Sequence, residues 1–518
     1  MPTTHPILTC TEARAWEHHL LGDDVEKAWG AMQRAGAGVG AAVLRDFVQW
    51  RPLPRDPRVL VLAGSGHNGG DALLAAREIL RARPRGRITA VLLEPIEKLK
   101  SLARRAWDEL AMNSGVESIS PAPFHSRLDA GEIWDVTLDG LYGMSFRPPL
   151  PEAARAILTA VNDTPGATGF RAAVDLPSGI ADDSGDLAFK ADFTYATGIA
   201  KQPLFNQAYM PWVGRIRYID IGFFEKPYDG PRADAEEILL PTILEPLGRL
   251  RDSAGDKRSF GHLVVVSGSR AYPGAQMLNV LGALRAGAGL VTALTPYSHA
   301  PAFAAARPEA IWRACPEEMD GCHGAATFGA VRDLQGRASA VLAGSGLGRG
   351  VGTQNLLPLM AKTCLLPLVL DADALTPKVL QSVIERPEGA GPVVITPHAG
   401  EFARIAGEGA HLADFCREHR VITVLKGPVT RICDGARTWC STLGGPVLAR
   451  GGSGDVLAGI IGALIAQRAG EPMLAAARGV VWHGLAADAL ARARGDTAAL
   501  IGELPGHLPE VLRNEWGY

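Results

Sequence analysis

No CxxC pair occurs in this 518-residue chain, and its seven cysteines (Cys10, Cys315, Cys322, Cys364, Cys416, Cys433 and Cys440) are odd in number and widely scattered. That pattern argues against a disulfide framework and against structural zinc. Net charge is also scarce. The formal value of −3 gives no electrostatic reason to expect nucleic acid or a membrane surface as a partner. No uninterrupted apolar run reaches the roughly 18 to 20 residues of a membrane span; the nearest, VLAGIIGALIA, stops short. The opening residues, MPTTHPILTCTEARAWEHHLL, lack the basic region and apolar core of a secretory signal. A cytoplasmic protein that acts on small molecules is expected.

What the chain does have is length, glycine and apolar residues. Its size exceeds one ordinary core and predicts about two to four domains. Hydrophobic residues make up 47% and charged residues 21%, the balance of a globular protein with sizeable cores. Gly 60 and Pro 36 occur without any low-complexity tract, which suits an α/β protein with many strand-to-helix turns.

From residue 59, VLVLAGSGHNGGDALLAAREIL runs from a continuous apolar stretch through a glycine cluster into a helical pattern. This predicts a buried parallel strand, a tight turn and a helix. Further strands are predicted at 87 to 93, 134 to 140, 170 to 179, 192 to 198 and 216 to 223, with helices between them. Such alternation predicts a doubly wound sheet with ligands at the carboxyl ends of its strands. Proline, glycine and charge gather at residues 223 to 241, FFEKPYDGPRADAEEILLP, and mark a domain seam. A second strand series follows at 262 to 269, 289 to 296, 338 to 346, 367 to 373, 391 to 398 and 421 to 427. A last helix, opened by Gly454 and Asp455, carries Leu457, Ile460, Ile461 and Leu464 at the spacing of one buried face. The expected domains are residues 1–228 and 229–518, both α/β.

The glycines at 451, 452 and 454 let a large anion approach the bare N–H groups and positive dipole of a helix mouth. Asp455 is the odd member of such a site. Locally it fits two roles equally: a cap of the helix, or a general base that takes a proton from a substrate hydroxyl attacking a phosphoryl group. Three more polar clusters follow strands. TPHAGE carries His398 and Glu401, KGPVT runs from Lys426 to Thr430, and DADAL supplies Asp371 and Asp373. DADAL could be a capping loop, a structural element or a group related to Mg²⁺.

The order of YPGA (272 to 275), RAGAGLVT, ARPEA, GSGLG (344 to 348), DADAL, TPHAGE, KGPVT, GGSGD and WHGLAAD (482 to 488) resembles the ribokinase-like ADP-dependent NAD(P)H-hydrate dehydratases over nearly all of residues 240 to 518. The resemblance implies a ribokinase-like α/β/α domain. It also implies a repair reaction, in which NADH or NADPH that has added water at C6 of its nicotinamide ring is dehydrated at the expense of Mg²⁺-bound ADP, giving AMP and phosphate. By motif, Ala275, Gly346, His398 and Asp455 would contact the hydrate, with Asp455 catalytic. Lys426, Gly427, Pro428, Val429, Thr430 and Gly454 would hold the nucleotide.

In the amino-terminal half, GSGHNGGDA (64 to 72) also joins a strand to a helix and, read alone, is either a phosphate-binding turn or a tight turn capped by Asp71. With Asp139 at one strand end and VDLPSG (174 to 179) at another, it resembles the NAD(P)H-hydrate epimerases over about residues 10 to 225, including an initial MQRAGAGVG helix. That resemblance implies a Rossmann-like three-layer α/β/α domain. By motif, His67, Asn68, Gly69, Gly70, Asp71 and Gly143 would bind the hydrate, and Asp175 would bind it and act in proton transfer. Asn68, Asp139 and Ser178 would coordinate K⁺. Two departures stand out. His67 replaces the family's asparagine, and Gly143-Met144-Ser145 replaces its glycine-threonine-glycine turn. Together the halves imply a bifunctional homo-oligomer that takes NAD(P)H hydrate and ADP as ligands, with no nucleic-acid or membrane partner. The alternative is a small-molecule hydroxyl kinase of the vitamin-precursor type fused to a non-catalytic nucleotide-binding or interaction domain.

Overall fold

Short apolar runs that end in glycine place the strands, and in both halves alternate strand residues point to opposite cores. A computed structural model describes residues 3–183, 187–230, 232 and 236–513. The chain divides into two units, His5–Ala235 and Glu236–Trp516. That division falls a few residues downstream of the expected boundary and inside the proline- and charge-rich seam.

In the amino-terminal unit the parallel strands lie in the order Val116–Ile119, Arg87–Leu92, Arg58–Ala63, Val136–Gly140, Phe170–Val174, Phe193–Thr197 and Arg215–Ile219. Along the strand Arg58–Ala63, Val59, Val61 and Ala63 enter a core shared with the helices Val25–Phe47 and His67–Ala82. Leu60 and Leu62 enter another, with the helices Pro121–Asp129 and Glu152–Asp163. A sheet buried on both faces gives three layers. Strand order reverses between Arg58–Ala63 and Val136–Gly140, so the crevice beyond their carboxyl ends is the switch point of a doubly wound sheet. A short parallel pair joins Thr4–Leu8 to Ala200–Lys201. The expectation of a strand through residue 179 is corrected: the strand ends at Val174, and Asp175, at a positive φ of 68°, starts the turn that follows.

The carboxyl-terminal unit repeats the plan with a different order: Ile311–Cys315, Leu290–Pro296, His262–Val266, Ala340–Ala343, Leu368–Leu370, Val393–Ile395 and Ile422–Leu425, all parallel. Antiparallel strands Thr430–Cys433 and Thr438–Ser441 follow, and Glu236–Leu239 lies alongside the latter. Leu263 and Val265 face one core, Val264 and Val266 the other.

The glycine-rich helix is Ser453–Gln467, and two readings of it are corrected. Every residue from Val456 to Ala466 is buried, not one face only, because the helix lies between the sheet and the helices Pro273–Arg285 and Pro472–Ala498. A helix that is apolar all round behaves this way. Nor is it the last helix, since Pro472–Ala498 and Leu504–Val511 follow. Its glycines serve close packing: a Cβ at Gly459 would lie 2.1 Å from the Asn279 carbonyl oxygen.

Candidate functional site

Three segments far apart in the carboxyl-terminal sequence converge on one buried carboxylate, Asp371, which is 2% exposed. Ser345 of GSGLG donates its hydroxyl to Asp371 Oδ2 at 2.9 Å, and Thr396 of TPHAGE donates to Oδ1 at 2.7 Å. The ammonium of Lys426, from KGPVT, lies 3.1 Å from Oδ1. The same Nζ stands 3.1 Å from where a Cβ of Gly454 would be, so a positive charge sits over the glycine turn. Backbone spacing makes this possible: strands 393–395 and 422–425 are parallel neighbours, and Lys426 N–H donates to the Pro397 carbonyl at 2.8 Å.

Gly452, at φ 95°, turns the chain into the helix without a side-chain cap. Ser453 N–H donates back to the Arg450 carbonyl at 3.3 Å, which leaves the Gly454 and Asp455 N–H groups, without an intrahelical partner, and the helix dipole to serve an anion. Asp455 sits in that first turn and does not cap it. Burial first, and the Asp371 charge second, push its carboxyl up to about 6, while Lys426 and the Ser345 hydroxyl act the other way. Asn279 fixes the turn from behind: its amide donates to the Asp455 carbonyl at 2.7 Å and to the Ser345 hydroxyl at 3.2 Å.

The other expected residues divide. Ala275 and Gly346 are neighbours, since a Cβ at Gly346 would come within 2.7 Å of the Ala275 Cβ. Gly427, Pro428, Val429 and Thr430 form the turn between strands 422–425 and 430–433, with Gly427 and Pro428 exposed. His398 is bound to this region through its backbone, yet its side chain caps the helix Ala399–Ala406. Its Nδ1 accepts from Glu401 N–H at 3.2 Å, and the imidazole is 62% exposed. Asn279, Ser345, Thr396 and His483 were not singled out. Ser345 and Thr396 lie inside recognised motifs, which is a usable signal; Asn279 lies mid-helix and carries none. His483 is 5% exposed and near Ser453 and Lys426; burial lowers its imidazole to about 4, so it is neutral.

The amino-terminal unit has its own cavity of about 510 Å³ at the switch point. His67, Asn68, Asp71, Gly143 and Asp175 line it, as do the departing residues Met144 and Ser145. Gly69 and Gly70 do not. They pack inward, where a Cβ would meet the Gly64 carbonyl oxygen or the Met32 sulfur. Asp139 is fully buried and accepts from Ser178 N–H at 2.7 Å and Ser178 Oγ at 2.6 Å. Burial still raises its carboxyl to about 6 against those bonds. Asn68 donates to the Tyr142 carbonyl at 2.9 Å, and its buried Oδ1 has no partner among the described residues.

Asp175 pairs with Lys201, whose ammonium is 2% exposed and also donates to the Thr197 carbonyl at 2.8 Å. Thr197 Oγ1 donates to Asp175 at 3.1 Å. Burial, then Asp175 and Glu17, push Asp71 well above the usual carboxylate range, opposed by Lys201. Glu17 also lines the cavity, and burial raises it. Neither Lys201 nor Glu17 was foreseen; each lies in an element without a motif.

Among the described residues no helix is long and apolar enough to cross a membrane, no group of three His, Cys, Asp or Glu is placed to hold a metal, and every cysteine is buried as a thiol outside any disulfide. A family model described as NAD(P)H-hydrate dehydratase matches residues 263–505, and one described as YjeF-related protein N-terminus matches residues 30–203. The chain is 37% identical over 483 residues to a bifunctional NAD(P)H-hydrate repair enzyme of Gloeobacter violaceus, covering 89% of each chain. It is 31% identical over 500 residues to one from Moorella thermoacetica, covering 93% of this chain and 92% of that one. Among solved structures, an ADP/ATP-dependent NAD(P)H-hydrate dehydratase from Bacillus subtilis aligns with 51% of this chain and 93% of its own, at 29% identity and a TM-score of 0.43.

Proposed function

The chain belongs to the bifunctional NAD(P)H-hydrate repair enzymes, and from that premise we propose that its two sites divide the work of clearing both C6 epimers. The carboxyl-terminal site dehydrates the S hydrate with ADP, releasing AMP and phosphate. The amino-terminal site interconverts R and S.

Hydroxide is a poor leaving group, so the hydroxyl must first become a phosphate ester. Asp455 takes the hydroxyl proton as that oxygen forms a bond to the β-phosphorus of ADP, and the bond to the bridging oxygen breaks to release AMP. A carboxyl near 6 is ionised at neutral pH and basic enough for the task. The N–H groups of the glycine turn and the Lys426 ammonium stabilise charge on the transferred group. Phosphate then departs from C6 as the ring nitrogen pushes electrons in, and loss of the C5 proton regenerates NAD(P)H. Mg²⁺ suits this site as a companion of the nucleotide phosphates, which is how the ion is commonly held. The observation that carries the reading is the juxtaposition of Asp455, Lys426 and the uncapped glycine turn.

In the amino-terminal cavity Asp175, held by Lys201 and Thr197, accepts and returns the proton, and Asp71, whose proton affinity burial and its carboxylate neighbours raise, lies along the same wall to bind the hydrate. Asn68, Asp139 and Ser178 suit K⁺, because the unpartnered Asn68 Oδ1 and the Ser178 hydroxyl offer oxygen without a crowd of charges. When bound, the ion supplies a weakly hydrated positive charge beside the buried Asp139 carboxylate.

Incubation of mixed-epimer hydrate with enzyme, ADP and Mg²⁺ tests the whole reading. Complete return of the reduced nicotinamide absorbance, above spontaneous epimer exchange, is expected. Accumulation of a phosphorylated hydrate that survives turnover would instead identify a kinase.

A further inference from the structure

The carboxyl-terminal unit brings donors from three separate segments to a carboxylate that none of the expected roles uses. Asp371 receives two hydroxyls and one ammonium, and its surroundings leave it 2% exposed. Its bonds run to the segments that carry the hydrate-facing glycine loop, the TPHAGE turn and the nucleotide turn, so one side chain ties together the walls of the site. Ser345 extends the tie, since Asn279 donates both to its hydroxyl and to the Asp455 carbonyl.

We infer that Asp371 is a positioning residue for the dehydration, holding Lys426 over the glycine turn and keeping a fixed negative charge beside the Asp455 carboxylate. It touches neither reactant. It acts through two residues that do, and the inference rests on Asp455 being the base. A buried carboxylate next to the base makes the base hold its proton more tightly, which explains the second contribution to the elevation of Asp455. The charged groups that act on Asp455 are Asp371 from the strand end at 370 and Lys426 from the strand end at 425; His483, from the helix Pro472–Ala498, lies by Ser453 and Lys426 and is neutral. The first raises its proton affinity and the second lowers it.

The sign of each substitution follows. D371N removes the negative neighbour and leaves the Lys426 charge uncompensated. Both changes lower the Asp455 pKa, so the acidic limb of the kcat/KM profile for dehydration moves to lower pH, by about one pH unit for a like charge at this range. D371E keeps the charge and leaves the limb where the parent has it. D371S removes the charge as well and is expected to move the limb in the same direction as D371N.

The test is the pH dependence of ADP-driven dehydration of the S hydrate in the parent, D371N, D371S, D371E and D455N, all as the full chain, with a thermal melt of each. A displacement to lower pH in D371N and D371S, with D371E at the parental position, supports the assignment. A limb that stays in place in folded D371N, or a limb displaced in D371E, overturns it; if D371N does not fold, D371S decides. D455N separates the two levels. If it loses the reaction while the others keep unshifted limbs, the base stands and the role of Asp371 falls. Should D455N retain both rate and limb, the base reading falls and this inference with it.

Discussion

The two sites begin from nearly the same local text, a strand, a glycine turn with an aspartate and a helix, and they end as different chemistry. At the carboxyl-terminal turn the uncapped helix mouth lies beneath an ammonium, and its aspartate is ionisable near neutrality. At the amino-terminal turn Gly69 and Gly70 are packed inward, Asp71 is pushed well above the usual carboxylate range, and the cavity is lined instead by carboxyls and an amide. The difference is made by what other strands bring to the turn. One site gathers two carboxylates around Lys426; the other gathers three carboxyls around Lys201, with Asp139 sealed separately by Ser178. A single cation can hold only part of that negative charge, so burial and the neighbouring carboxylates raise the proton affinity of Asp71 and Glu17. Phosphoryl transfer suits the first arrangement and proton exchange the second.

The comparison is broken most severely by removing the two aspartates assigned to bases. D455N should lower ADP-dependent dehydration by roughly 10²–10⁴-fold, the range of a lost general base, while epimer exchange measured on the same preparation stays at the parental rate. Equal loss of both activities would mean the sites are not independent. D175N should do the converse by a comparable factor, slowing epimer exchange and sparing dehydration of purified S hydrate. An unchanged exchange rate would reduce the amino-terminal unit to a binding module.

Smaller effects sharpen the contrast. In D139A the dependence of epimer exchange on K⁺ should vanish; a parental response to K⁺ would reject the assigned site. The fourth prediction is thermal and concerns pH. Asp139 has its folded pKa raised to about 6, so its share of stability is fully present below its unfolded pKa and is lost as pH rises through 6, where the buried anion forms. K⁺ offsets that loss only once the anion exists. The rise in melting temperature given by K⁺ over Na⁺ should therefore grow as pH passes upward through about 6, by a few degrees at most, and calorimetry at pH 5 and pH 8 would reveal its absence.

Much of this architecture is legible before folding because buried parallel strands are continuous apolar runs. HLVVV and RVLVLA announce themselves, and the glycine clusters after them mark the sheet edge where ligands bind. Short or edge strands do not. Ile311–Cys315 has exposed and half-buried residues, and Thr430–Cys433 lies just past the KGPVT turn with no apolar run of its own. The helix Ser453–Gln467 misleads in another way: its 3, 4, 7 spacing suggests one buried face, but close packing on both sides buries the whole stretch after Asp455. At the site, Asp455 and Lys426 can be chosen from motifs, since each follows a strand or glycine turn. Asp371 cannot be distinguished from a surface aspartate by its neighbours in DADAL, because its role is written in residues 345, 396 and 426. Lys201 is hidden for the same reason, since its partner is Asp175.

The central claim is that phosphorus carries the C6 oxygen away after Asp455 has removed its proton. Hydrate prepared in oxygen-18 water carries the label at that hydroxyl, and mass spectrometry of the products of one turnover with ADP reads its fate. The account predicts the heavy oxygen in the released phosphate. Label released to water, with unlabelled phosphate, would contradict it.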